Sequence, residues 1–381
     1  MTPREATALV ESLLSPLPLT QFRESVGASR AFDITGHPVE ARTTLMGSDP
    51  AATVLAGYAT HAGKLDSHAV APTGDVPAPE NIDSPQAFAD LIATYHARGH
   101  TVRVPDLLAL SPAAARMARA LEAVFMVPVD ASLFWSIDRA RAKIHYDDND
   151  IVVVQLAGTK RWFVSTDPPG LNNVWKDAAA GPTVMPNHRT VDLSPGDLIY
   201  VPRGTPHSVE SSGTCLHITF TFTPVTHRTA LIAAIDHASD LDRRLRTTAP
   251  AIADGSLGGA LAVLAEQWRT PHFLPDAEEK RRSRFVGNLP ALPKLAPATI
   301  SPDTRVRHTP LALLHLLPRG TVIDVALPGG HVFVNAAAHE ALAHIASTSA
   351  FRVADLPGLT PDVAVALVER LTSGGVLEVD S

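Results

Sequence analysis

Two short stretches hold the residues best suited to chemistry: Lys143-Ile144-His145-Tyr146-Asp147-Asp148-Asn149-Asp150 and, about sixty residues on, Pro202-Arg203-Gly204-Thr205-Pro206-His207. On an extended strand both side chains of an H-x-D pair point the same way, because the side-chain period is two. His145 and Asp147 are therefore expected on one face of a strand over 145–156. A second strand that delivers His207 to that face completes a set of two imidazoles and one carboxylate. With open positions opposite, this is the facial arrangement of non-haem Fe(II) oxygenases, and its donors suit Fe(II) or Mn(II) better than a thiolate-loving metal. The separation of Asp147 from His207 suits strands on opposite sides of one barrel. The plainer alternative is a satisfied polar cluster. Asp148 and Asp150 are expected behind the ligands or at the surface, with Asp148 facing away from Asp147.

An Fe(II) oxygenase needs an electron source. That is commonly 2-oxoglutarate, whose two carboxylates require one chelation site and one cation. Thr159-Lys160-Arg161-Trp162 follows the Gly158 turn and brings two cations near the barrel. Strand alternation turns only one of Lys160 and Arg161 inward, and spacing does not say which. On the strand 216–222, His217, Thr219 and Thr221 share one face, which is either a pocket lining or a solvated outer face.

These residues must be held by the stretch from Val127 to Pro224, whose periodicity is strand-like. Strands are expected over 132–137, 145–156, 161–164, 191–193, 198–201 and 216–222. Turn signals separate them: Ala157-Gly158, Asp167-Pro168-Pro169-Gly170, Pro195-Gly196-Asp197 and Arg203-Gly204. Short strands with Gly/Pro turns suggest a jelly-roll sandwich or barrel. The run Ile151–Val154 is apolar throughout, as in a strand covered on both faces.

Before this core, Thr2-Pro3-Arg4-Glu5 caps a helix over 3–15, and 17–76 reads as short strands and loops. Residues 71–84 look like an exposed connector, while Ser84-Pro85 and Ser111-Pro112 each open a helix. After the core come helices over 228–246, about 257–268 and about 275–285, which either oligomerise or cover the sheet. A proline-rich linker is expected over 287–302. Beyond it lie strand-like runs over 321–325 and 331–334, helices over 340–346 and 361–371, and a final strand over 376–379. Together they suggest a winged-helix-like unit.

The 381 residues are too many for one typical domain. A hydrophobic content of 45% supports a packed core, and the 32 prolines favour short connections. A net charge of −7 argues against a generally nucleic-acid-binding surface. From Thr299 onward, five Arg and no Lys stand against eight Asp and Glu, so this module lacks the clustered positive charge that phosphate binding needs. Cys215 is the single cysteine and forms neither an internal disulfide nor a zinc cluster. No run approaches a membrane span, and a cytoplasmic protein is expected.

His145-Tyr146-Asp147-Asp148, Val154-Gln155-Leu156-Ala157-Gly158-Thr159-Lys160-Arg161-Trp162, Pro195-Gly196-Asp197 and Pro202-Arg203-Gly204-Thr205-Pro206-His207 together resemble the ribosomal-oxygenase branch of the JmjC/cupin superfamily. The match is dense over about 130–224. The resemblance implies an α+β fold: a double-stranded β-helix (jelly-roll, cupin, JmjC) core followed by a helical dimerisation segment and a C-terminal winged helix. The corresponding parts are 1–84, packing on the core; 85–224, catalytic; 225–290, helical; and 299–381, winged-helix-like. It also implies an enzyme that uses Fe(II), 2-oxoglutarate and O2 to hydroxylate a side chain of a protein or peptide, with ribosomal proteins as the family's substrates. His145, Asp147 and His207 match the iron ligands. Lys160 matches the residue that holds the far carboxylate of 2-oxoglutarate, and Thr221 falls near a hydroxyl of the same pocket. A homodimer is implied, and no direct nucleic-acid or membrane partner is. Ser132-Leu133-Phe134-Trp135 replaces the Ser-Asn-Val-Tyr-like strand usual in the family, so no tyrosine hydroxyl for the cosubstrate is evident. Rival readings are a hydroxylase of a biosynthetic peptide or small metabolite, and a metal-binding cupin that docks partners without catalysis.

Overall fold

The computed structural model describes residues 1–69, 82–138, 140–170, 184–248, 256–294 and 299–380. Most of the expected connector 71–84 and part of the expected linker 287–302 lie outside them. The chain divides into two compact units, Glu5–Pro224 and, in the other, Met1–Arg4 with Val225–Ser381. Among the described residues no helix is long and apolar enough to cross a membrane.

The first unit is built on an antiparallel sheet of nine described strands. These are β1 (Phe32–Ile34), β2 (Asp66–His68), β3 (Thr101–Val104), β4 (Val129–Ser136), β5 (Arg141–His145), β6 (Asp150–Ser165), β7 (His188–Leu193), β8 (Leu198–Val201) and β9 (His207–Phe222). The order is β1-β8-β6-β9-β4-β3-β2, with β5 also on β9 and β7 also on β6. β6 is central, and Ile151, Val152, Val153 and Val154 are all buried, as the unbroken apolar run requires. On one face Ile151 and Val153 pack with Trp162, Val191, Ile199 and Val209. Each such side chain contributes roughly 1.5–3 kcal/mol on burial. The helix Pro112–Phe125 packs on β4; Ser111 caps it, its Oγ accepting from Ala114 N at 3.1 Å.

Four expectations change. The strands over 145–156 and 161–164 are one sixteen-residue strand, β6. The Ala157-Gly158 signal marks bulges, with register shifts on both sides of Ala157, rather than a turn. Gly158 has φ +65°, and a Cβ there would meet Thr214 O at 2.2 Å, so the bulge needs glycine. Second, His145 and Asp147 do not share a strand: His145 ends β5 and Asp147 lies in the turn before β6. Third, β5 and β9 are adjacent, not on opposite sides of a barrel. Fourth, short helices rather than strands dominate 17–69, namely Leu19–Gly27, Glu40–Thr43, Pro50–Ala56 and Tyr58–His61. Asp49 caps the third, its Oδ1 accepting from Ala52 N at 3.0 Å. Helices of four to nine residues are too short to show a 3.6-residue period.

The second unit begins with helices His227–Leu241, Ser256–Gln267 and Phe273–Asn288. The last runs into the segment expected as linker. Two three-stranded sheets follow. β11 (His315–Arg319), β12 (Val322–Leu327) and β13 (Gly330–Asn335) form one; β10 (Arg305–His308), β14 (Ala350–Arg352) and β15 (Leu377–Val379) form the other, in the order β14-β10-β15. Helices His339–Ser347 and Pro361–Ser373 share their core through Ala341, Leu342, Ile345, Leu367, Val368 and Leu371. The strand-like runs expected over 321–325 and 331–334 are thus two strands of a three-stranded sheet.

Candidate metal and cosubstrate site

The candidate donors come from three positions: the end of β5, the turn after it, and the start of β9. His145 and His207 are cross-strand partners, with ring centroids 4.3 Å apart and planes at 53°. His207 Nε2 lies 3.7 Å from Asp147 Oδ2. One donor atom from each of the three residues lies within 4.8 Å of the other two, and among the described residues no other His, Cys, Asp and Glu group meets that test.

Each imidazole is oriented from behind. His145 Nδ1 is 2.7 Å from Lys143 O, and His207 Nδ1 is 3.0 Å from Thr205 O. A carbonyl only accepts, so both Nδ1 atoms carry the proton and both Nε2 atoms keep a lone pair, the tautomer a metal requires. His207 is buried, and burial, then the neighbouring His145, hold its pKa below the ordinary value, while Asp147 opposes them. The neutral ligand form is favoured.

These donors open on a cavity of about 700 Å³ whose wall includes Lys160, Phe134, His217, Thr219 and Thr221. The bulges in β6 decide between the two cations. Lys160 is buried and donates from Nζ to Ser136 Oγ at 2.8 Å. No carboxylate pairs with it among the described residues, and burial lowers its pKa from 10.5 to about 7. Arg161 faces out, where Nε and Nη2 hold Asp192 at 2.7 and 2.8 Å. His217 and Thr219 are buried and Thr221 half-buried, so the polar face of β9 is a pocket lining. Burial and the nearby Lys160 keep His217 well below its ordinary pKa.

Several wall residues were not singled out from sequence. Trp162 stacks on His207, centroids 5.7 Å apart at 25°, and Phe134 stacks on His217, 5.0 Å apart at 16°. Ser132, Phe134 and Ser136 line the cavity at every second position of β4, a period-two pattern visible in sequence once the strand's direction is known. Arg103 and His68 reach it from β3 and β2, outside the motif-dense segment. Among the described residues Trp162 Nε1 and His217 Nδ1 are buried without a hydrogen-bond partner. Buried polar atoms are rarely left so, and a bound polar ligand is one way to satisfy them. Asp148 is exposed at the rim, whereas Asp150 is buried.

A family model described as JmjC domain matches residues 108–230. That segment is a JmjC domain. Ribosomal oxygenase 2 of Mus musculus is 37% identical over 67 residues, 18% of this chain and 14% of that protein. Ribosomal oxygenase 2 of Bos taurus is 29% identical over 154 residues, 36% of this chain and 33% of that protein. The matches thus span a third or less of these relatives. The JmjC domain and its flanking segments share their fold with YcfD, a ribosomal oxygenase from Escherichia coli solved with cobalt and 2-oxoglutarate. The TM-score is 0.57 at 16% identity, over 96% of this chain and 99% of that one. The architecture is thus an α+β JmjC/cupin fold with a large antiparallel sheet, added helices and small C-terminal sheets.

Proposed function

We propose that this chain is an Fe(II)- and 2-oxoglutarate-dependent oxygenase that hydroxylates a side chain of a protein or peptide, with ribosomal proteins as the substrate class. One observation carries the proposal: two lone-pair imidazoles, a carboxylate and a buried lysine without a carboxylate partner among the described residues face one cavity. The donor chemistry fits Fe(II), since two neutral imidazoles and one carboxylate leave positions for a chelating cosubstrate. His145, Asp147 and His207 would hold the metal. Lys160, with Ser136 behind it, would hold the far carboxylate of 2-oxoglutarate, and Thr221 would border the same pocket. When bound, Fe(II) would activate O2 with 2-oxoglutarate as the electron source, so that one oxygen atom would go to a substrate C–H bond and the other into succinate, with loss of CO2.

The chain's own contribution is binding, orientation and exclusion of water. Thr205 and Lys143 carbonyls keep the imidazoles in the ligating tautomer. Burial of Lys160 leaves an anionic carboxylate as its best partner, because among the described residues the ammonium otherwise has only neutral groups such as Ser136 Oγ to meet it. The cavity is wider than a small dicarboxylate needs, leaving space for a substrate side chain beside it.

The division of labour we propose is 1–84 packing on the core, 85–224 for catalysis, 225–290 for homodimerisation and 299–381 as a winged-helix-like module that docks protein. The acidic balance from Thr299 onward supports protein over nucleic acid. Apolar Leu231, Ile232 and Ile235, each more than 40% exposed on one helix, support dimerisation. We place the enzyme in the cytoplasm, beside ribosomes.

Anaerobic titration with Fe(II) and 2-oxoglutarate, then admission of air, tests the reaction. Succinate release that fails in Lys160→Ala supports it; no 2-oxoglutarate binding and no turnover sinks it. Intact masses of ribosomal proteins from strains with and without the gene test the substrate class. A single-oxygen increment lost with the gene supports it, and identical spectra overturn it.

A further inference from the structure

Asp150 is a buried carboxylate, 2% exposed, that touches neither the cavity nor the candidate donors. It is the first residue of β6. Its Oδ1 accepts from Arg203 N at 3.1 Å, and its Oδ2 accepts from the hydroxyl of Tyr200 on β8. Tyr200 is fully buried, edge-on to Phe22 with centroids 5.3 Å apart, so this anchor belongs to the core. One residue further on, Gly204 N donates to Asp147 O at 2.8 Å.

These bonds join two pieces of chain that carry candidate ligands. The turn between β5 and β6 holds Asp147, and residues 202–206 lead into His207. Irregular segments vary in position unless tied down. Here the two are tied to each other twice, through the backbone of Asp147 and the side chain of Asp150, with Arg203 and Gly204 as adjacent attachment points. Ser165 N on Pro206 O at 2.9 Å and Gly170 N on Gly204 O at 3.0 Å hold the loop elsewhere. Burying a carboxylate is costly, and an apolar side chain would fill the same space without that cost. What the carboxyl adds is two fixed acceptors, one for each side of the junction.

We propose that Asp150 is a positioning residue that clamps the 202–206 loop to the start of β6 and so sets the separation of Asp147 and His207, an inference that rests on these residues forming a metal centre. Removing the clamp lets the loop relax, and the donor atoms then fit a metal less well without any ligand being lost.

The test uses the full chain loaded with Co(II), read by titration and by the visible d–d absorption. Thermal melting of the metal-free protein is recorded alongside. Asp150→Ala should weaken Co(II) binding about 10- to 100-fold, the range typical for supports behind metal ligands, and change the absorption bands. Asp150→Asn keeps an acceptor for Arg203 N and an amide for Tyr200, so it should restore binding to within about threefold of wild type. Tyr200→Phe removes only one hydroxyl and should fall between them. It carries the test if Asp150→Ala does not fold. Variants that melt lower yet bind Co(II) with wild-type affinity and spectrum would overturn the clamp and leave the metal centre standing. Wild-type protein that takes up no Co(II) would overturn the metal centre, and the clamp with it.

Discussion

His145 and His207 face each other across paired strands, the last residue of β5 against the first of β9, and each gives its Nδ1 hydrogen to a carbonyl two residues earlier in its own chain. The repeated backing leaves two Nε2 lone pairs at the mouth of one cavity, beside a carboxylate whose Oδ2 is 3.7 Å from His207 Nε2. Antiparallel pairing brings together residues distant in sequence without help from a long loop.

Loss of any one donor should therefore be severe. Asp147→Ala or His207→Ala is expected to reduce Co(II) or Fe(II) affinity at least 100-fold in anaerobic titration, with little change in far-UV circular dichroism. Retained affinity in both variants would refute the assignment.

Lys160 should make cosubstrate binding depend on pH. Its pKa near 7 means that above pH 7 the empty site must take up a proton to offer an ammonium. Affinity for 2-oxoglutarate should fall as pH rises above 7, by up to tenfold per unit. At pH 8.5 close to one proton should be absorbed per ligand, measured calorimetrically in two buffers of different ionisation enthalpy. Lys160→Met should abolish that uptake. Arg161→Gln, which alters an exposed pair with Asp192, should leave 2-oxoglutarate affinity unchanged and stability close to that of wild type.

The same lysine sets a stability profile. The unfolded chain holds its Lys160 proton up to about pH 10.5 while the folded one releases it near 7. The unfolded state therefore binds more protons between those values, and stability rises with pH across that window. The penalty is full below pH 7. Lys160→Met should raise metal-free stability at pH 7 by several kcal/mol, at most about 5, in urea denaturation, less so towards pH 10. Equal effects at both pH values would contradict the burial-driven origin.

Gly158→Ala should be costly despite adding one methyl. The residue has φ +65° and its Cβ would collide with Thr214 O. Destabilisation of about 2 kcal/mol or more is expected, with weakened 2-oxoglutarate binding because the bulge aims Lys160. A stable variant with intact binding would show that the bulge can shift at no cost.

On the helix His227–Leu241, Leu231 and Ile235 are 46% and 47% exposed. If this face pairs with a second copy, wild type should sediment as a dimer and a Leu231→Glu, Ile235→Glu double variant as a monomer. A monomeric wild type would refute the pairing.

The motif-bearing residues and their strand-rich surroundings were legible from residue type and spacing alone. His145, Asp147 and His207 sit in distinctive local contexts, and the apolar run Ile151–Val154 announces a central strand wherever it folds. Local patterning also placed the helices opened by Ser84-Pro85 and Ser111-Pro112, since a cap and a proline act within one turn. Other features depended on contacts between distant segments. Gly158 reads as a turn in sequence, and only β9 on one side of β6, with Cys215 behind the glycine, makes it a bulge in a continuous strand. That bulge, not strand alternation, turns Lys160 into the cavity and Arg161 towards Asp192. Likewise, Asp150 reads as one more acidic residue in a run of them. Its burial against Tyr200 and Arg203 exists only once β6 and β8 have paired, because hydrogen bonds across fifty residues are decided by the assembled sheet and not by any window of sequence.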